Sequence, residues 1–183
     1  MTLKKLLIAS NYLGKDKAKT IYFFDKARFG LQSSLCRKWA KKGSECTVKV
    51  KQGYQNFYIY SSVAPKTGDQ FSLLLPFVNT EIMQLYLDEF SMSLGSEIAI
   101  LIMEQAGWHK SKDLIVPANL EIWFLPPYSP ELNPVERLWK YIKQNTIHNR
   151  IYDTLKHLEK AVIDYFDLID CQLLTKLCAC SYI

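Results

Sequence analysis

Three acids stand at positions where an acid needs a reason. Asp25 lies inside FFDKARF, among Phe23, Phe24 and Phe29. An ionised carboxylate in so apolar a strand costs several kcal/mol unless it is paired or binds a metal. The plainer reading turns Asp25 to solvent by strand alternation, or pairs it with Lys26 or Arg28. Glu104 follows at once on the apolar run EIAILIM and precedes QAGWHK. Ligands of open α/β sheets collect beyond the carboxyl ends of the strands. That makes Glu104 a candidate metal ligand, against the alternative of an exposed loop acid. Glu136 sits in LPPYSPELNPVERLWKY. With Asn133 as N-cap, Pro134 falls at the first helical position and Glu136 at the third, the spacing of a capping box. Glu136 therefore has a structural explanation as well as a chemical one. Brought together, such carboxylates suit two divalent ions about 3.5–4 Å apart, which activate an attacking oxygen and stabilise a leaving oxygen of a phosphodiester. Mg2+ takes hard oxygen ligands of this kind and keeps several waters.

The elements that must position these acids are legible as a pattern. Thr20–Phe29 is β-branched and aromatic, hence a strand that Gly30 ends. Cys46–Gln52 alternates apolar and polar residues, as a half-buried strand does. Asn56–Ala64 and Gln70–Pro76 flank the turn PKTGD, whose proline and glycine suit a hairpin loop. The first part of the chain thus reads as an antiparallel meander. Thr80–Leu94 carries Ile82, Leu85, Tyr86 and Phe90 at helical spacing, with Thr80 as N-cap. Glu97–Met103 is a nearly continuous apolar run, the mark of a strand buried on both faces. Leu120–Pro126 is the next strand. Helices follow from Pro134 to about His148 and from about Asp153 to Cys180. The order β-β-β-β-α-β-β-α-α implies α/β layering with parallel strand pairs in the second half. No internal repeat or long linker divides the chain.

Composition is consistent with one packed domain. About half of the 183 residues are apolar (49%), enough for a sizeable core, and glycine and proline number only 7 each. The net charge of +5 permits a polyanionic partner. The five cysteines, Cys36, Cys46, Cys171, Cys178 and Cys180, are odd in number and form no CxxC pair. A disulfide framework and a structural zinc site are therefore not expected, and reduced thiols fit a cytosolic setting. Residues 1–19 read as a short basic lead-in without the apolar core of a signal peptide, and no apolar run reaches the roughly 18 residues a membrane helix needs.

Several basic and aromatic residues lie near the acids in sequence. His109 and Lys110 follow Glu104 and either approach a substrate phosphate or belong to a solvated turn. Arg137, Lys140 and Lys143 form a basic stripe on the helix after Glu136, either a solvated face or a contact to a nucleic-acid backbone. Trp108, Tyr128 and Trp139 offer rings for stacking on bases, although the helical spacing of Trp139 from Val135 favours core packing. Lys38–Gly43 is a smaller basic patch. The last helix is amphipathic and suits either the sheet or a dimer contact.

FFDKARFG, ILIMEQAGWHKSKDL and FLPPYSPELNPVERLWKYIK closely resemble the three catalytic blocks of bacterial insertion-sequence transposases of the Tc/mariner superfamily. These are DDE-type enzymes, and the resemblance runs from about Ile21 to Lys143. It implies a ribonuclease H-like α/β fold, a mixed five-stranded sheet with helices on its faces, and a catalytic domain over residues 20–183. It assigns Asp25, Glu104 and Glu136 as the first, second and third catalytic, metal-holding acids, with Mg2+ as cofactor and Mn2+ as its substitute. Thirty-one residues separate Glu104 from Glu136, close to the usual interval of the superfamily. The implied activity is DNA cleavage at transposon ends and strand transfer to target DNA in the bacterial cytosol, with a second copy or a partner transposase chain. His109, Lys110, Arg137, Lys140 and Lys143 become candidate DNA contacts. The residues before Asp25 are too few for the helix-turn-helix domain such transposases carry, so recognition of terminal repeats is expected to lie elsewhere.

Two departures bear on activity. The second block of the family reads Met-Asp-x-Ala-Gly-Trp-His, and Glu104 replaces the Asp. Its carboxylate reaches roughly 1.5 Å farther, and misplacement by about 1 Å can cost about 100-fold in rate. The first block usually reads Phe-Asp-Glu, and Lys26 replaces the Glu, which opposes cation binding nearby. The competing expectation is a catalytically dead remnant that binds DNA or multimerises only.

Overall fold

The computed structural model describes residues 19–32, 35, 39–45, 47, 53–105 and 114–182. Among these, five strands form one mixed sheet: β1 (Thr20–Gly30), β2 (Asn56–Val63), β3 (Gln70–Leu75), β4 (Ala99–Met103) and β5 (Leu120–Phe124). The sheet order is β3-β2-β1-β4-β5. β1 pairs antiparallel with β2, and β2 with β3, while β1–β4 and β4–β5 are parallel. The antiparallel β1–β2–β3 run and the parallel half agree with the sequence pattern, except that β1 pairs directly with Asn56–Val63 rather than with a strand over Cys46–Gln52. The expected strand over Cys46–Gln52 lies, except for Thr47, outside the described residues, as does the basic lead-in before Lys19.

β1 is central because its side chains are apolar toward both faces. Phe23, Ala27 and Phe29 enter one core, with Ile100 and Ile102 of β4. Tyr22 and Phe24 enter the other, with Tyr60 and Leu101. Helix α1 (Thr80–Leu94) covers the second face through Met83, Tyr86, Leu87 and Phe90. Helices α2 (Val135–Thr146), α3 (Leu155–Phe166) and α4 (Cys171–Leu177) cover the first. The layers are therefore helix, sheet and helices, each face sealed by a separate apolar cluster.

Three details correct the sequence-based boundaries. The cap of α1 is Asn79, not Thr80: the Asn79 side chain accepts the Ile82 N–H at 2.8 Å. β4 starts at Ala99, and all five of its residues are buried. The long C-terminal helix is two helices. Its first part ends in a turn in which Leu168 N–H donates to Tyr165 O and Ile169 N–H to Phe166 O, and Asp170 then caps α4 by accepting the Leu173 N–H at 2.7 Å. The break brings α4 against the β2–β3 hairpin. A side chain at Gly68, φ +78°, would stand 2.3 Å from Cys171 O, so only glycine fits that corner.

Candidate active site

β1 outruns β4. The parallel register ends at Phe23 opposite Ile102, so Asp25 lies two residues beyond the last β1 pair and Glu104 two beyond the last β4 pair. Both acids consequently stand at the same end of neighbouring parallel strands, the position where α/β sheets collect ligands. Strand alternation places Asp25 on the Phe23 face, the face that α2 covers.

Asp25 is 9% exposed. Its Oδ2 accepts a hydrogen bond from Trp139 Nε1 at 2.8 Å. Its pKa is pushed up to about 7, first by burial, then by the negative charge of Glu136, with Glu104 adding in the same direction; the Lys26 backbone N–H and the Trp139 indole oppose the rise. Three carboxylates thus feel one another, and the most buried of them carries the burden. Glu136 is raised as well, by burial and then by Glu104, while Lys143 and Lys26 pull it down.

Asn133 sets the spacing between Asp25 and Glu136. Its Nδ2 donates to Phe24 O at 2.9 Å, fastening the start of α2 to β1 one residue before Asp25. Its Oδ1 accepts the Val135 N–H at 3.2 Å, the work of an N-cap. The reciprocal half of a capping box is not made with Glu136, because the Asn133 N–H donates to Pro130 O at 2.9 Å within the 3-10 turn Pro130–Leu132. Glu136 stays solvent-open and free of a capping role, so the first-turn acid faces its fellow acids.

The other expected residues divide. Lys143 comes close enough to Glu136 to act on it, and its Nζ lies 5.6 Å from the Phe29 ring centroid. Lys140 is exposed one turn beyond Glu136. Arg137 turns away, its guanidinium donating to Ala179 O in the C-terminal turn. His109, Lys110 and Trp108 lie outside the described residues. Beside Glu104 is a cavity of about 460 Å3 walled by Gln105, Pro126, Pro127 and Tyr128. Tyr128 is fully exposed and adopts a left-handed backbone, φ +57°, an arrangement that costs a bulky residue energy.

Sequence reasoning placed Trp139 in the core and missed its bond to Asp25. The helical spacing of Glu136 and Trp139, three residues apart, is the signal that puts both on the side of α2 facing β1. Asn133 was read as a cap, and its link to β1 was missed; no local pattern announces a partner 109 positions away.

As for metals, the donor set is made of carboxylates, which suits a hard cation such as Mg2+ or Mn2+. Among the described residues no group of three or more His, Cys, Asp or Glu side chains is drawn into a ready cage. The acids form an open arrangement, suited to an ion that keeps much of its own hydration.

Residues 20–159 match the family model described as DDE superfamily endonuclease. An uncharacterised protein of Sinorhizobium fredii (strain NBRC 101917 / NGR234), y4pE/y4sA, is 46% identical over 96 residues, 52% of this chain and 71% of that protein. Among solved structures, the Mos1 transposase paired-end complex with left transposon end superimposes with a TM-score of 0.71 at 17% identity, over 95% of this chain and 55% of that one. The Mos1 mariner paired-end complex with Mn gives 0.72 at 16% identity, over 96% and 56%. The catalytic domain of Mos1 mariner transposase gives 0.65 at 14%, over 96% and 83%. The ribonuclease H-like fold is therefore shared, and the chain spans about half the length of the Mos1 chains in those complexes.

Proposed function

The chain belongs to the DDE superfamily endonucleases, and on that premise we propose that it performs divalent-metal-dependent DNA cleavage and strand transfer in transposition, with Asp25, Glu104 and Glu136 as its acids. The observation that carries this reading is a buried Asp25 whose pKa is raised by burial and by the like charges of Glu136 and Glu104. A cation among the three would relieve that repulsion. Such an ion, Mg2+ or Mn2+, would supply Lewis-acid stabilisation to the attacking and leaving oxygens of a phosphodiester.

The remaining work belongs to side chains. Asp25, Glu104 and Glu136 would hold the cation. Trp139 fixes one oxygen of Asp25, and the Lys26 backbone N–H also donates to this carboxylate. Asn133 keeps the third acid in register with the first. Lys140 and Lys143 would meet the DNA backbone on the open side of α2, and His109 and Lys110 would reach it from the segment after Glu104. Residues 20–183 would serve as the catalytic unit, acting on transposon-end and target DNA in the cytosol with a second copy or a partner transposase chain. Among the described residues no helix is long and apolar enough to cross a membrane.

One observation favours a second reading, DNA binding or multimerisation without cleavage: the positive charge of Lys26 acts on Glu136, where a cation would have to compete with it. Nicking of supercoiled plasmid in Mn2+ separates the two. Cleavage by the wild type that Asp25→Ala abolishes supports the enzyme. A silent wild type, with nicking gained only by Glu104→Asp combined with Lys26→Glu, identifies the remnant. Where both the wild type and that double variant are silent, and calorimetry detects no Mn2+ uptake by either, the three acids are not a metal site and the proposal falls.

A further inference from the structure

The segment that carries Glu136 is held on both sides by residues that follow α4. Four residues before Glu136, Leu132 O accepts the Tyr182 hydroxyl. One residue after it, the Arg137 guanidinium donates to Ala179 O. Burial pushes the Tyr182 pKa up to about 12, so the hydroxyl keeps its proton and remains a donor. Leu132, Cys178, Cys180 and Tyr182 all belong to the apolar cluster on the α2 face. The turn after α4 is thus packed into the face on which Asp25 lies.

Tyr182 also touches the strand that carries Asp25. Its ring meets Phe23 edge-on, with centroids 6.2 Å apart and planes at 73°. Phe23 lies two residues before Asp25 and on the same face of β1. Tyr182 therefore spans the two elements that bring Asp25 and Glu136 together. Its ring rests on β1, and its hydroxyl holds the turn that leads into α2. Asn133 joins the same two elements through Phe24 O. A single attachment leaves a turn free to rotate about it. A second attachment at the neighbouring residue Leu132, and a third at Arg137 on the other side of Glu136, remove that freedom. Placement matters at this scale, because an error of about 1 Å can cost about 100-fold in rate.

We propose that Tyr182 and Arg137 are positioning residues: they clasp the turn after α4 to the start of α2 and so hold Glu136 at the distance from Asp25 that a shared divalent cation needs. The inference rests on the metal reading above and deepens it, by adding a supporting clasp behind the acids. It also gives Arg137 a role other than the DNA contact that its place in the basic stripe suggests.

The test is the Mn2+ affinity of the folded protein by calorimetry, beside urea unfolding in EDTA. Tyr182→Phe keeps the ring on Phe23 and removes the bond to Leu132 O, and Arg137→Gln removes the other half of the clasp. Tyr152→Phe is the matched control, since the Tyr152 hydroxyl makes the same kind of bond to Thr146 O at the opposite end of α2. Groups bonded directly to a metal ligand contribute about 10–100-fold in affinity, and these act one step farther away, so each single variant should bind Mn2+ about three- to fivefold more weakly and the pair about tenfold. Deleting the Arg137 charge would by itself favour a nearby cation, so a weaker affinity in Arg137→Gln reports geometry. Tyr152→Phe should lose comparable stability and keep the wild-type affinity. Equal affinity in the wild type and the double variant, or an equal loss in Tyr152→Phe, would mean that the clasp serves stability only; the inference then falls while the metal reading stands. If the wild type takes up no Mn2+, that reading fails and this inference with it.

Discussion

The two faces of the sheet each bury a polar side chain beside β1, and they treat it differently. On the α1 face, Tyr86 packs its ring 5.0 Å from Phe24 and donates its hydroxyl to Ser62 Oγ at 2.7 Å, with Phe71 O at 3.1 Å. Every group there is neutral and has a partner, as buried polar groups in a core generally do. On the α2 face, Asp25 accepts from the Trp139 indole and the Lys26 backbone N–H, yet it bears the charge of two further carboxylates. The first arrangement is closed and serves the fold. The second is stable only if a proton or a cation joins it. A fold that satisfies one buried polar group fully and leaves another burdened, on opposite sides of one strand pair, has separated structural polarity from chemical polarity.

The largest expected effect tests that burden directly. A carboxyl whose folded pKa is about 7 against a free value of 3.8 holds its proton in the folded state after the unfolded chain has lost it. Its contribution to stability is therefore complete below about pH 4 and disappears as the pH rises through about 7. The loss is about 1.4 kcal/mol per unit, on the order of 4 kcal/mol across the window for this group. Glu136, raised too, adds in the same direction. Urea unfolding in EDTA should show the wild type losing stability between pH 4 and pH 7, and Asp25→Asn losing much less. Parallel pH profiles for the two proteins would mean that Asp25 is no more burdened than Tyr86, and the contrast between the faces would collapse.

How much of this was legible in the sequence depends on the range of each interaction. The acids, the strands and the parallel half follow from local pattern: Asp25 within FFDKARF, Glu104 after an apolar run, Glu136 after a proline. The capping box looked complete because Asn133 and Glu136 have its spacing. It fails because the 3-10 turn before it takes the Asn133 N–H, and helical periodicity does not report the turn that precedes a helix. The division of the last helix was hidden for a similar reason. Leu168 and Ile169 keep the apolar rhythm going through the break, and the cap at Asp170 shows only in the folded chain, where its side chain accepts the Leu173 N–H. The bond between Trp139 and Asp25 spans 114 positions. Only the folded sheet supplies it.

That bond gives the next effect in size. Trp139→Phe keeps an aromatic ring against Phe29 and Phe166, whose centroids lie 6.2 and 6.3 Å away, and removes the indole N–H. Groups that orient a metal ligand typically contribute 10–100-fold in metal affinity. Mn2+ affinity by calorimetry should drop by about that factor, with the Asp25 pKa rising further. A variant that binds Mn2+ as tightly as the wild type would show that Trp139 serves packing alone, and the α2 face would then resemble the α1 face more closely.

The smallest effect belongs to the closed side. Tyr86→Phe leaves the ring in place and deletes a hydroxyl bonded to Ser62 and Phe71. The Ser62 Oγ, fully buried, loses its donor, which should cost about 1 kcal/mol and at most about 3 kcal/mol in urea unfolding. Plasmid nicking and Mn2+ affinity should not change, because the altered atom is on the far side of β1 from the acids. A loss of stability without loss of function is the signature of structural polarity, the reverse of what Asp25→Asn should show. If Tyr86→Phe reduced metal affinity, β1 would be transmitting strain from one face to the other through the Phe24–Asp25 peptide that Asn133 grips. The separation of roles would then be a property of the side chains only, not of the sheet.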